Sequence, residues 1–425
     1  MGKTLNVYQI GLGSFGRHGF EKMVELDKHY EDLDIKIRGI CDIDMEKLEK
    51  AEKFAAKNNI HVETFRKTEQ MYQHAIQQDP PVMIYDASPT EKHAQHLYKS
   101  LNNGFFHLAE KPPSLKRDQF LKEKRLAQEK QAMWKSDFIE RENPVIKKTL
   151  EILENETIDS IDIFRESSVG IQKILDPVKR AGVTGGDILD KMTQEIYLID
   201  MLEKAKNTEN PELELENAET RYFLPKKPGS DKMMSLKGGK TSEIKNAATG
   251  QTKAELKSEN IKITLNSSWL GNSEKSRLKA KKIKEKTGHD VLRRNYKKIN
   301  DSAYLEEESR FFLIKGSRNL AGDMLHNKLY DLDTGEEIEL PELLHDQLYR
   351  VLEKAALIAA DEKQETISDK EIETFITTLF DIREKVVENA GKFYEEVDDA
   401  SQKIQSMIIE DNKILEPEEK QTLAG

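Results

Sequence analysis

A chain of 425 residues is longer than one ordinary hydrophobic core supports, so its length predicts two domains. Hydrophobic residues make up 37% and charged residues 34%, which is typical of a globular protein with a very polar surface. The net charge of −11 argues against nucleic-acid binding, and no apolar run approaches the length of a membrane-spanning helix. We therefore expect neither a nucleic acid nor a membrane among the partners.

The single cysteine, Cys41, excludes an internal disulfide and a cysteine zinc site. After the first four residues the sequence passes directly into a strand-like run, without the pattern of a signal peptide. Together these features predict a cytoplasmic protein.

Strand and helix patterns alternate through the first third of the chain. Buried strands are predicted from the apolar runs LNVYQIGLG, IKIRGICDID, PVMIYDAS and FFHLAEKP, and the runs between them predict helices. Strands separated by helices of this length pair in parallel through right-handed crossovers. Residues 1–140 are therefore predicted to form a doubly wound parallel sheet of the Rossmann type, and the fold class is α/β.

The rhythm changes near residue 140, where strand patterns begin to follow one another. Apolar and polar residues alternate in ETIDSIDIFRESS, KAELKSENIKITLNSSW, SRFFLIKGSR and KLYDLDTGEEIEL. This predicts an α+β domain over residues 141–395 with a mixed or antiparallel open sheet, mostly helical from about residue 342. Residues 396–425 are predicted to be a helical extension with a frayed tail.

Residues 274–298 are strongly basic, unlike the rest of the chain. Such a run is most often a solvated helix or a mobile insertion, and that is our expectation here. It could also face an anionic substrate or a nucleic acid.

A glycine motif follows the first strand and opens the first helix. GLGSFGRHG places Gly11, Gly13 and Gly16 in the spacing G-x-G-x-x-G, with Ser14 and Phe15 in the same turn. The three glycines permit, in order, a tight turn, the approach of a pyrophosphate, and close packing of helix on strand. Because the helix N-terminus offers free N–H groups to phosphates, the motif predicts a dinucleotide site.

Asp42 stands at the end of the second predicted strand. A carboxylate there can accept hydrogen bonds from both ribose hydroxyls, and it would repel a 2′-phosphate. We therefore expect NAD as the cofactor. NADP stays possible, because Arg17 or Arg38 could accommodate a phosphate.

Lys111 follows another predicted strand at its carboxyl end, within AEKPPS. Ligands bind at this edge of parallel α/β sheets, so Lys111 is predicted to face the cofactor crevice, with Pro112 fixing the local backbone. His93 and His96 lie three residues apart on a predicted helix, but no further metal ligand is near them in the sequence. They are interpreted as structural or cofactor-edge residues, and no metal site is predicted.

The stretch GGDILDKMTQEIYLID, residues 185–200, has apolar residues at helical spacing. Asp190 and Gln194 lie four residues apart and would share one face of a helix. The pattern alone favours an amphipathic core helix with two polar residues at its edge. A reactive site on that face is the alternative.

These motifs together resemble the Gfo/Idh/MocA family of oxidoreductases over roughly residues 5–395. GLGSFGRHG is similar to the dinucleotide loop of the family, and DASPTEKHAQHLYKSLNNGFFHLAEKPPSL to its proline loop, helix and E-K-P motif. GGDILDKMTQEIYLID is similar to its G-G-x-x-x-D-x-x-x-H helix. The resemblance implies cofactor contacts for Ser88, Pro89, Thr90, His93 and Glu110, beside the glycine motif, Asp42 and the E-K-P lysine.

The resemblance also implies catalytic roles for Lys111, Asp190 and Gln194. In the family, the E-K-P lysine and the aspartate and histidine of the helix meet at the nicotinamide, but position 194 here is glutamine. Glutamine cannot exchange a proton near neutral pH. Lys111 is therefore the first candidate for moving the proton, followed by Glu195 and Tyr197.

The function implied by the resemblance is reversible hydride transfer between NAD(H) and a hydroxyl-bearing or carbonyl carbon of a sugar, cyclitol or related polyol. The sheet of the second domain would serve substrate binding and self-association, giving a homo-oligomer such as a dimer or tetramer. Glutamine at position 194 leaves an alternative open. In it, the protein binds a dinucleotide and a ligand as a sensor or regulatory partner, without turnover.

Overall fold

The computed structural model describes residues 4–29, 33–167, 186–209, 211–223, 248–268, 272–299, 302–343, 345–360 and 372–386. Contacts divide the chain into two compact units. The first comprises Met1–Asn143 with Glu342–Ile372, and the second comprises Pro144–Pro341 with Glu373–Gly425. The extension predicted at residues 396–425 lies outside the described residues.

A six-stranded parallel sheet forms the centre of the first unit, in the order β3-β2-β1-β4-β5-β6. Its strands are β1 (Thr4–Ile10), β2 (Asp34–Cys41), β3 (Glu63–Phe65), β4 (Val82–Asp86), β5 (Phe106–Glu110) and β6 (Trp134–Asp137). The strand order reverses between β1 and β4, and open α/β sheets bind ligands at such a point. The doubly wound parallel sheet predicted for this part of the chain is confirmed, with β3 and β6 added to the four predicted strands.

The helices of the first unit alternate with these strands. They are α1 (Ser14–His29), α2 (Met45–Lys57), α3 (Thr68–Ile76), α4 (Thr90–Asn102) and α5 (Arg117–Lys130), followed by a 3₁₀ turn at Ile139–Glu142. Helix α2 begins where the sequence favours it, because the Asp44 carboxylate caps its first turn by accepting the Glu46 and Lys47 N–H groups.

A late helix of the chain, which we label α10 (Gln347–Ala360), belongs to the first unit. Its Leu348, Leu352 and Ala356 are buried in the same apolar cluster as Leu5 and Phe20. The sequence predicts this segment as part of the second domain, and the structure differs here. The apolar face of α10 completes the core beside α1 and β1, which sequence order alone does not reveal.

Helix α5 carries a buried carboxyl group, that of Glu123, whose two oxygens have no hydrogen-bond partner among the described residues. Burial raises the pKa of Glu123 to about 8 from 4.5. The folded chain therefore binds this proton more tightly than the unfolded chain, and the free energy of unfolding falls as the pH rises from 4.5 to 8.

Glu123→Gln should remove that loss of stability. We expect its stability relative to the wild type to rise with pH across this window, by at least about 1 kcal/mol, in denaturant unfolding followed at a series of pH values. Glu129→Gln, at an exposed position of the same helix, is the matched control and should follow the wild-type curve. A Glu123→Gln curve parallel to that of the wild type would contradict the prediction.

A nine-stranded mixed sheet forms the second unit, in the order β15-β14-β13-β12-β7-β10-β9-β8, with β11 also paired to β12. Its strands are β7 (Ile158–Ser167), β8 (Glu214–Phe223), β9 (Ala248–Ser258), β10 (Ile261–Ser268), β11 (Arg293–Ile299), β12 (Ser302–Gly316), β13 (Leu320–Asp323), β14 (Lys328–Asp331) and β15 (Glu337–Ile338). β7 and β10 pair in parallel and the other strand pairs are antiparallel. The predicted mixed sheet is confirmed, and β8, β11 and β13 are additions.

Helices of the second unit are α6 (Pro144–Leu153), α7 (Gly186–Asp190), α8 (Tyr197–Lys206), α9 (Glu274–Thr287) and α11 (372–386), with a 3₁₀ turn at Met192–Ile196. The continuous helix expected over 185–200 is instead α7, the 3₁₀ turn and α8. Each residue of that turn is buried, including Thr193, Gln194 and Glu195, so the turn has no solvent face of the kind an amphipathic helix needs. No helix in the described ranges is long and apolar enough to cross a membrane.

The basic segment 274–298 packs against the sheet as α9 and most of β11. Ala280 and Ile283 of α9 are buried in one apolar cluster with Phe164 and Phe311. Lys275 and Lys279 pair with Asp162 of β7, at 3.4 and 2.8 Å, and arginines of the segment pair with acidic residues of β12. The segment therefore packs on the sheet through one narrow face, while Lys281, Lys282 and Lys284 stay exposed. Of the two expectations, the solvated helix is the one observed, and the acidic partners on the sheet are the part that the sequence did not predict.

Candidate functional site

The glycine loop joins β1 to α1 at the point where the strand order reverses. Gly11 has a φ of +88°, and a Cβ there would lie 2.5 Å from the Ala87 carbonyl oxygen. A Cβ at Gly16 would lie 2.3 Å from the Gly11 carbonyl oxygen. Both glycines are thus required by the loop itself. At Gly13 a Cβ would meet no atom within 4 Å, so this position borders open space where a phosphate can approach the backbone.

Gly13→Ala should therefore separate cofactor binding from folding. Because the added methyl group fills only the open space, we expect an unchanged melting temperature and a roughly tenfold or larger loss of NADH affinity, measured by fluorescence titration. Gly16→Ala is the contrasting variant, since its methyl group would meet backbone, and it should lower the melting temperature. Wild-type NADH affinity in folded Gly13→Ala would contradict the assignment.

Gln9 fixes the conformation of the glycine loop. Its side chain is fully buried in β1, and its Nε2 donates to the carbonyl oxygens of Gly11, at 2.8 Å, and Gly16, at 2.6 Å. This amide fixes the turn against the first residues of α1. Sequence reasoning missed Gln9, although one polar residue inside the apolar run LNVYQIGLG was a visible signal.

Asp42 lies beside the same loop, after the end of β2. Its Oδ2 accepts the Leu12 N–H at 2.6 Å and its Oδ1 accepts the Asp44 N–H at 2.9 Å. Each carboxylate oxygen can accept a further hydrogen bond, so the group is oriented and still able to bind ribose hydroxyls. The arrangement fits the predicted cofactor.

The two arginines considered for a 2′-phosphate have other partners. Arg38 donates from Nε to Oδ1 of Asn6 at 2.7 Å, near the amino end of β1 and so at the opposite sheet edge from the glycine loop. Arg17 is largely exposed and lies 3.5 Å from the carboxylate of Glu21. Arg38 is thereby ruled out as a phosphate ligand at the loop.

A surface pocket of about 560 Å³ opens next to Asp42 in the chain. Ile43 and Met45 line it with large apolar side chains that are 83% and 47% exposed, and Arg66 and Lys67 line it with cations. Exposed apolar groups beside an acid that is predicted to bind ribose suit an adenine ring. The sequence reading missed this pocket, because β3 brings Arg66 and Lys67 next to β2 only in the folded sheet.

His93 holds the two loops that follow β4 and β5. Its Nε2 lies 2.8 Å from the carbonyl oxygen of Ser88, and its Nδ1 lies 3.2 Å from the carbonyl oxygen of Pro112. Pro89 and Thr90 form the start of α4 between these loops. The structural role considered for His93 is thus seen directly. Contacts of Ser88, Pro89, Thr90 and His93 with the cofactor stay predictions.

Asp86, at the end of β4, forms a buried network with histidines. His96 Nδ1 lies 2.9 Å from its Oδ2, and the His107 Nε2 lies 3.8 Å away. Burial disfavours the charged carboxylate, but the His96 hydrogen bond and the histidine charges outweigh burial and hold the pKa of Asp86 well below its ordinary value. Burial lowers the pKa of His107 to about 3. His96 therefore has a structural role in the core, which is one of the two roles that the sequence suggested for it.

Glu110 ends β5 and directly precedes Lys111 in the chain. It pairs in register with Asp137, which ends the neighbouring strand β6. Tyr85 donates its hydroxyl to Glu110 Oε1 at 3.0 Å. Burial raises the pKa of Glu110 well above its ordinary value, and the Asp137 carboxylate raises it further. Burial also raises the pKa of Asp137, to about 6. Burial therefore disfavours the charged form of both carboxyl groups, and the Lys111 ammonium opposes this effect in both.

Comparison with known proteins identifies this domain. Residues 5–138 match the Gfo/Idh/MocA family model, described as an oxidoreductase family with an NAD-binding Rossmann fold. The domain belongs to the Gfo/Idh/MocA family. The predicted family and its nicotinamide dinucleotide cofactor are thus confirmed for the first domain. No curated protein matches the chain in a sequence comparison.

Solved structures extend the likeness over most of the chain. A UDP-N-acetylglucosamine 3-dehydrogenase from Acidithiobacillus ferrooxidans has a TM-score of 0.58 at 15% identity, over 91% of this chain and 98% of that one. Levoglucosan dehydrogenase in complex with NADH and levoglucosan has 0.61 at 13%, over 91% and 98%. A 3-ketoreductase from Actinomadura kijaniata in complex with NADP and TDP-benzene has 0.59 at 14%, over 90% and 98%. At these low sequence identities, the structural similarity shows that the fold is shared and nothing more specific.

The second unit carries the other two predicted catalytic residues. Asp190 is half-buried at the end of α7, and Gln194 lies in the 3₁₀ turn with only 5% of its surface exposed. The Gln194 Oε1 is buried and has no hydrogen-bond donor among the described residues. A buried acceptor without a donor is unfavourable unless a ligand or water supplies one, so Gln194 suits a hydroxyl-bearing ligand.

Glu195 and Tyr197, the secondary proton-transfer candidates, are bound to each other inside the second unit. Arg165 Nε of β7 pairs with Glu195 Oε1, and the Tyr197 hydroxyl donates to Glu195 Oε2. Glu195 and Tyr197 are each at most 1% exposed. We therefore assign both residues to the core, where they join the 3₁₀ turn to the sheet, rather than to proton transfer.

Asp187 anchors α7 to the sheet, and sequence reasoning missed it. The residue is fully buried, and its carboxylate accepts the Thr252 hydroxyl of β9 at 3.0 Å and the Ser267 hydroxyl of β10 at 2.6 Å. Lys191 adds a hydrogen bond to the Ser167 hydroxyl at 2.7 Å. These contacts fix the segment that carries Asp190 and Gln194.

Proposed function

We propose that the protein is an NAD(H)-dependent oxidoreductase that transfers a hydride between nicotinamide and a hydroxyl-bearing or carbonyl carbon. The position of Lys111 carries this proposal. It follows β5 at the carboxyl edge of the sheet, the edge at which the glycine loop and Asp42 also lie. A lysine there can hydrogen-bond to the reacting oxygen of a substrate held beside the dinucleotide. The description of the family as oxidoreductases supports the proposal.

The proposed substrate is a sugar, a cyclitol or a related polyol. Support comes from the similar structures, which include a UDP-N-acetylglucosamine 3-dehydrogenase, a levoglucosan dehydrogenase and a 3-ketoreductase. The unpaired Oε1 of Gln194 adds support from this chain, because a polyol brings many hydroxyl donors.

When bound, the nicotinamide supplies or accepts the hydride. Gly13 and the α1 N-terminus bind the pyrophosphate, and Asp42 binds the ribose. Lys111 donates a hydrogen bond to the reacting substrate oxygen and transfers its proton. Asp190 and Gln194, to which the family resemblance gives catalytic roles, would hold substrate hydroxyls. Glu110 and Asp137 lie near Lys111, and their carboxyl groups attract its ammonium.

NAD is the proposed cofactor over NADP, because the oriented Asp42 carboxylate would repel a 2′-phosphate. Arg66 and Lys67 are the pocket cations that such a phosphate would meet. Comparing NADH and NADPH affinities of the same preparation tests this preference directly. We also propose a cytoplasmic homo-oligomer with no nucleic-acid or membrane partner, consistent with the net charge and the single buried Cys41.

The deciding experiment is a substrate panel. The full chain with NAD⁺ is mixed with pools of sugars, cyclitols and sugar nucleotides, and with NADH and the matching ketones, while NADH absorbance is followed. Turnover with a polyol pool supports the proposal. Tight binding of both NADH and a polyol without turnover across the panel would favour the alternative, a sensor or regulatory protein of the same fold.

A further inference from the structure

Three side chains that the proposed oxidoreductase function does not use converge in the second unit. His289 follows α9, Asp323 ends β13, and His326 lies in the turn between β13 and β14. The distance from His289 Nε2 to Asp323 Oδ2 is 2.8 Å, and from His326 Nδ1 to the same oxygen it is 2.6 Å. The three atoms lie within 4.8 Å of one another, so one small cation can touch all of them.

Asp323 is held ready for this role by the backbone. It is fully buried, and its Oδ1 accepts the Leu325 N–H at 3.0 Å and the His326 N–H at 3.2 Å. These bonds leave Oδ2 directed at the two imidazoles. Carboxylates that bind metal ions in proteins are usually held in place by hydrogen bonds of this kind.

The two imidazoles reach Asp323 from different elements and are themselves fixed. Their planes are nearly perpendicular, at 85°, with centroids 5.4 Å apart. The His289 ring stacks on Tyr330 at 5.3 Å, and its backbone N–H donates to the Thr287 hydroxyl at 3.1 Å. The side chains of His289 and His326 are 20% and 33% exposed, so water reaches the cluster and can complete a coordination shell.

We propose that His289, Asp323 and His326 bind a zinc-class transition-metal ion. Two imidazole nitrogens and one carboxylate oxygen suit Zn²⁺ and its neighbours, with water in the fourth position, whereas Ca²⁺ and Mg²⁺ take oxygen ligands. The competing arrangement is a metal-free triad in which each imidazole donates its N–H to Asp323.

The ion would join the end of α9 to the β13–β14 turn, and so fasten the basic helix to the sheet. No metal site is predicted from the sequence, because His289 is far from the other two ligands along the chain. In the sequence, the D-x-x-H spacing of Asp323 and His326 was the local signal that could have indicated the cluster. The site is independent of the oxidoreductase proposal, since none of its residues takes part in it.

The test is a competition titration of the metal-stripped full chain with Zn²⁺ and a chromogenic chelator. We expect stoichiometric binding to the wild type, and a melting temperature that zinc raises. His326→Asn is the key variant, because its amide can still donate to Asp323 but is a poor zinc ligand. It should keep the metal-free melting temperature of the wild type and weaken zinc binding by more than the roughly 10- to 100-fold that outer-shell changes cause.

His61→Ala is the matched control, since this histidine of the first unit is 89% exposed and lies 3.4 Å from a single carboxylate. It should bind zinc as the wild type does. His289→Ala should repeat the loss seen with His326→Asn. Wild-type zinc affinity in either of those variants, or no stoichiometric zinc in the wild type, would overturn the proposal in favour of the hydrogen-bonded triad.

Discussion

Replacing Lys111 with alanine should lower kcat for hydride transfer by about 10²- to 10⁴-fold, because the group that exchanges the substrate proton is removed. The effect should fall on turnover more than on cofactor binding. The dinucleotide is held by the glycine loop and Asp42, while Lys111 lies in the separate loop that His93 fixes through the Pro112 carbonyl oxygen. The measurements are turnover with a substrate found in the panel and NADH affinity by fluorescence titration.

Lys116→Ala is the matched control, because Lys116 is exposed and stands at the start of α5 just beyond the same loop. Its turnover should equal that of the wild type. Undiminished turnover in Lys111→Ala would remove Lys111 from the chemistry. If turnover and NADH affinity collapsed together, Lys111 would be a cofactor-binding residue instead of the proton-transfer residue.

The first domain could be predicted well because its signals are local. Apolar strand runs, helices of ordinary length and the glycine spacing each lie within a short stretch, and they agree with one another. The structure then gives the motif glycines separate physical reasons. Gly11 and Gly16 are required by backbone contacts at 2.5 and 2.3 Å, whereas a Cβ at Gly13 would meet no atom, so the reason for that glycine is the predicted approach of a phosphate.

Buried polar partners could not be predicted, because they come from distant parts of the chain. Asp137 meets Glu110 only when β6 is added beside β5, and Asp86 meets His107 only across the β4–β5 pair. Each residue alone looks like an ordinary polar strand end. Gln9 was closer to prediction, since it interrupts an apolar strand, but its acceptors are backbone carbonyls that no sequence pattern marks.

The predicted boundaries of two segments differ from those in the structure, because tertiary packing overrode the local sequence pattern. α10 follows the second-unit strands in sequence and yet completes the first core with Leu348 and Leu352. In 185–200 the helical spacing was real, but of the two polar residues expected at a helix edge Gln194 is buried, while Asp190 is half-buried. Helical spacing indicates local conformation and does not reveal that every residue of the turn at Met192–Ile196 is buried.

The Arg165–Glu195 pair gives the largest stability effect that we expect. Glu195→Ala removes the carboxylate facing a guanidinium that is 9% exposed, together with the acceptor of the Tyr197 hydroxyl. Breaking a buried ion pair from one side costs about 3–5 kcal/mol, because the remaining charge stays out of water.

Denaturant unfolding should therefore show this loss for Glu195→Ala, while Glu154→Ala, which breaks the exposed pair with Lys204, should cost at most about 1 kcal/mol. Glu195→Gln refines the assignment, since it keeps an acceptor for Tyr197 but not the charge, and should fall between the two. Wild-type stability of Glu195→Ala accompanied by loss of turnover would instead return Glu195 to the reaction as a proton carrier, and would contradict the core role assigned to it.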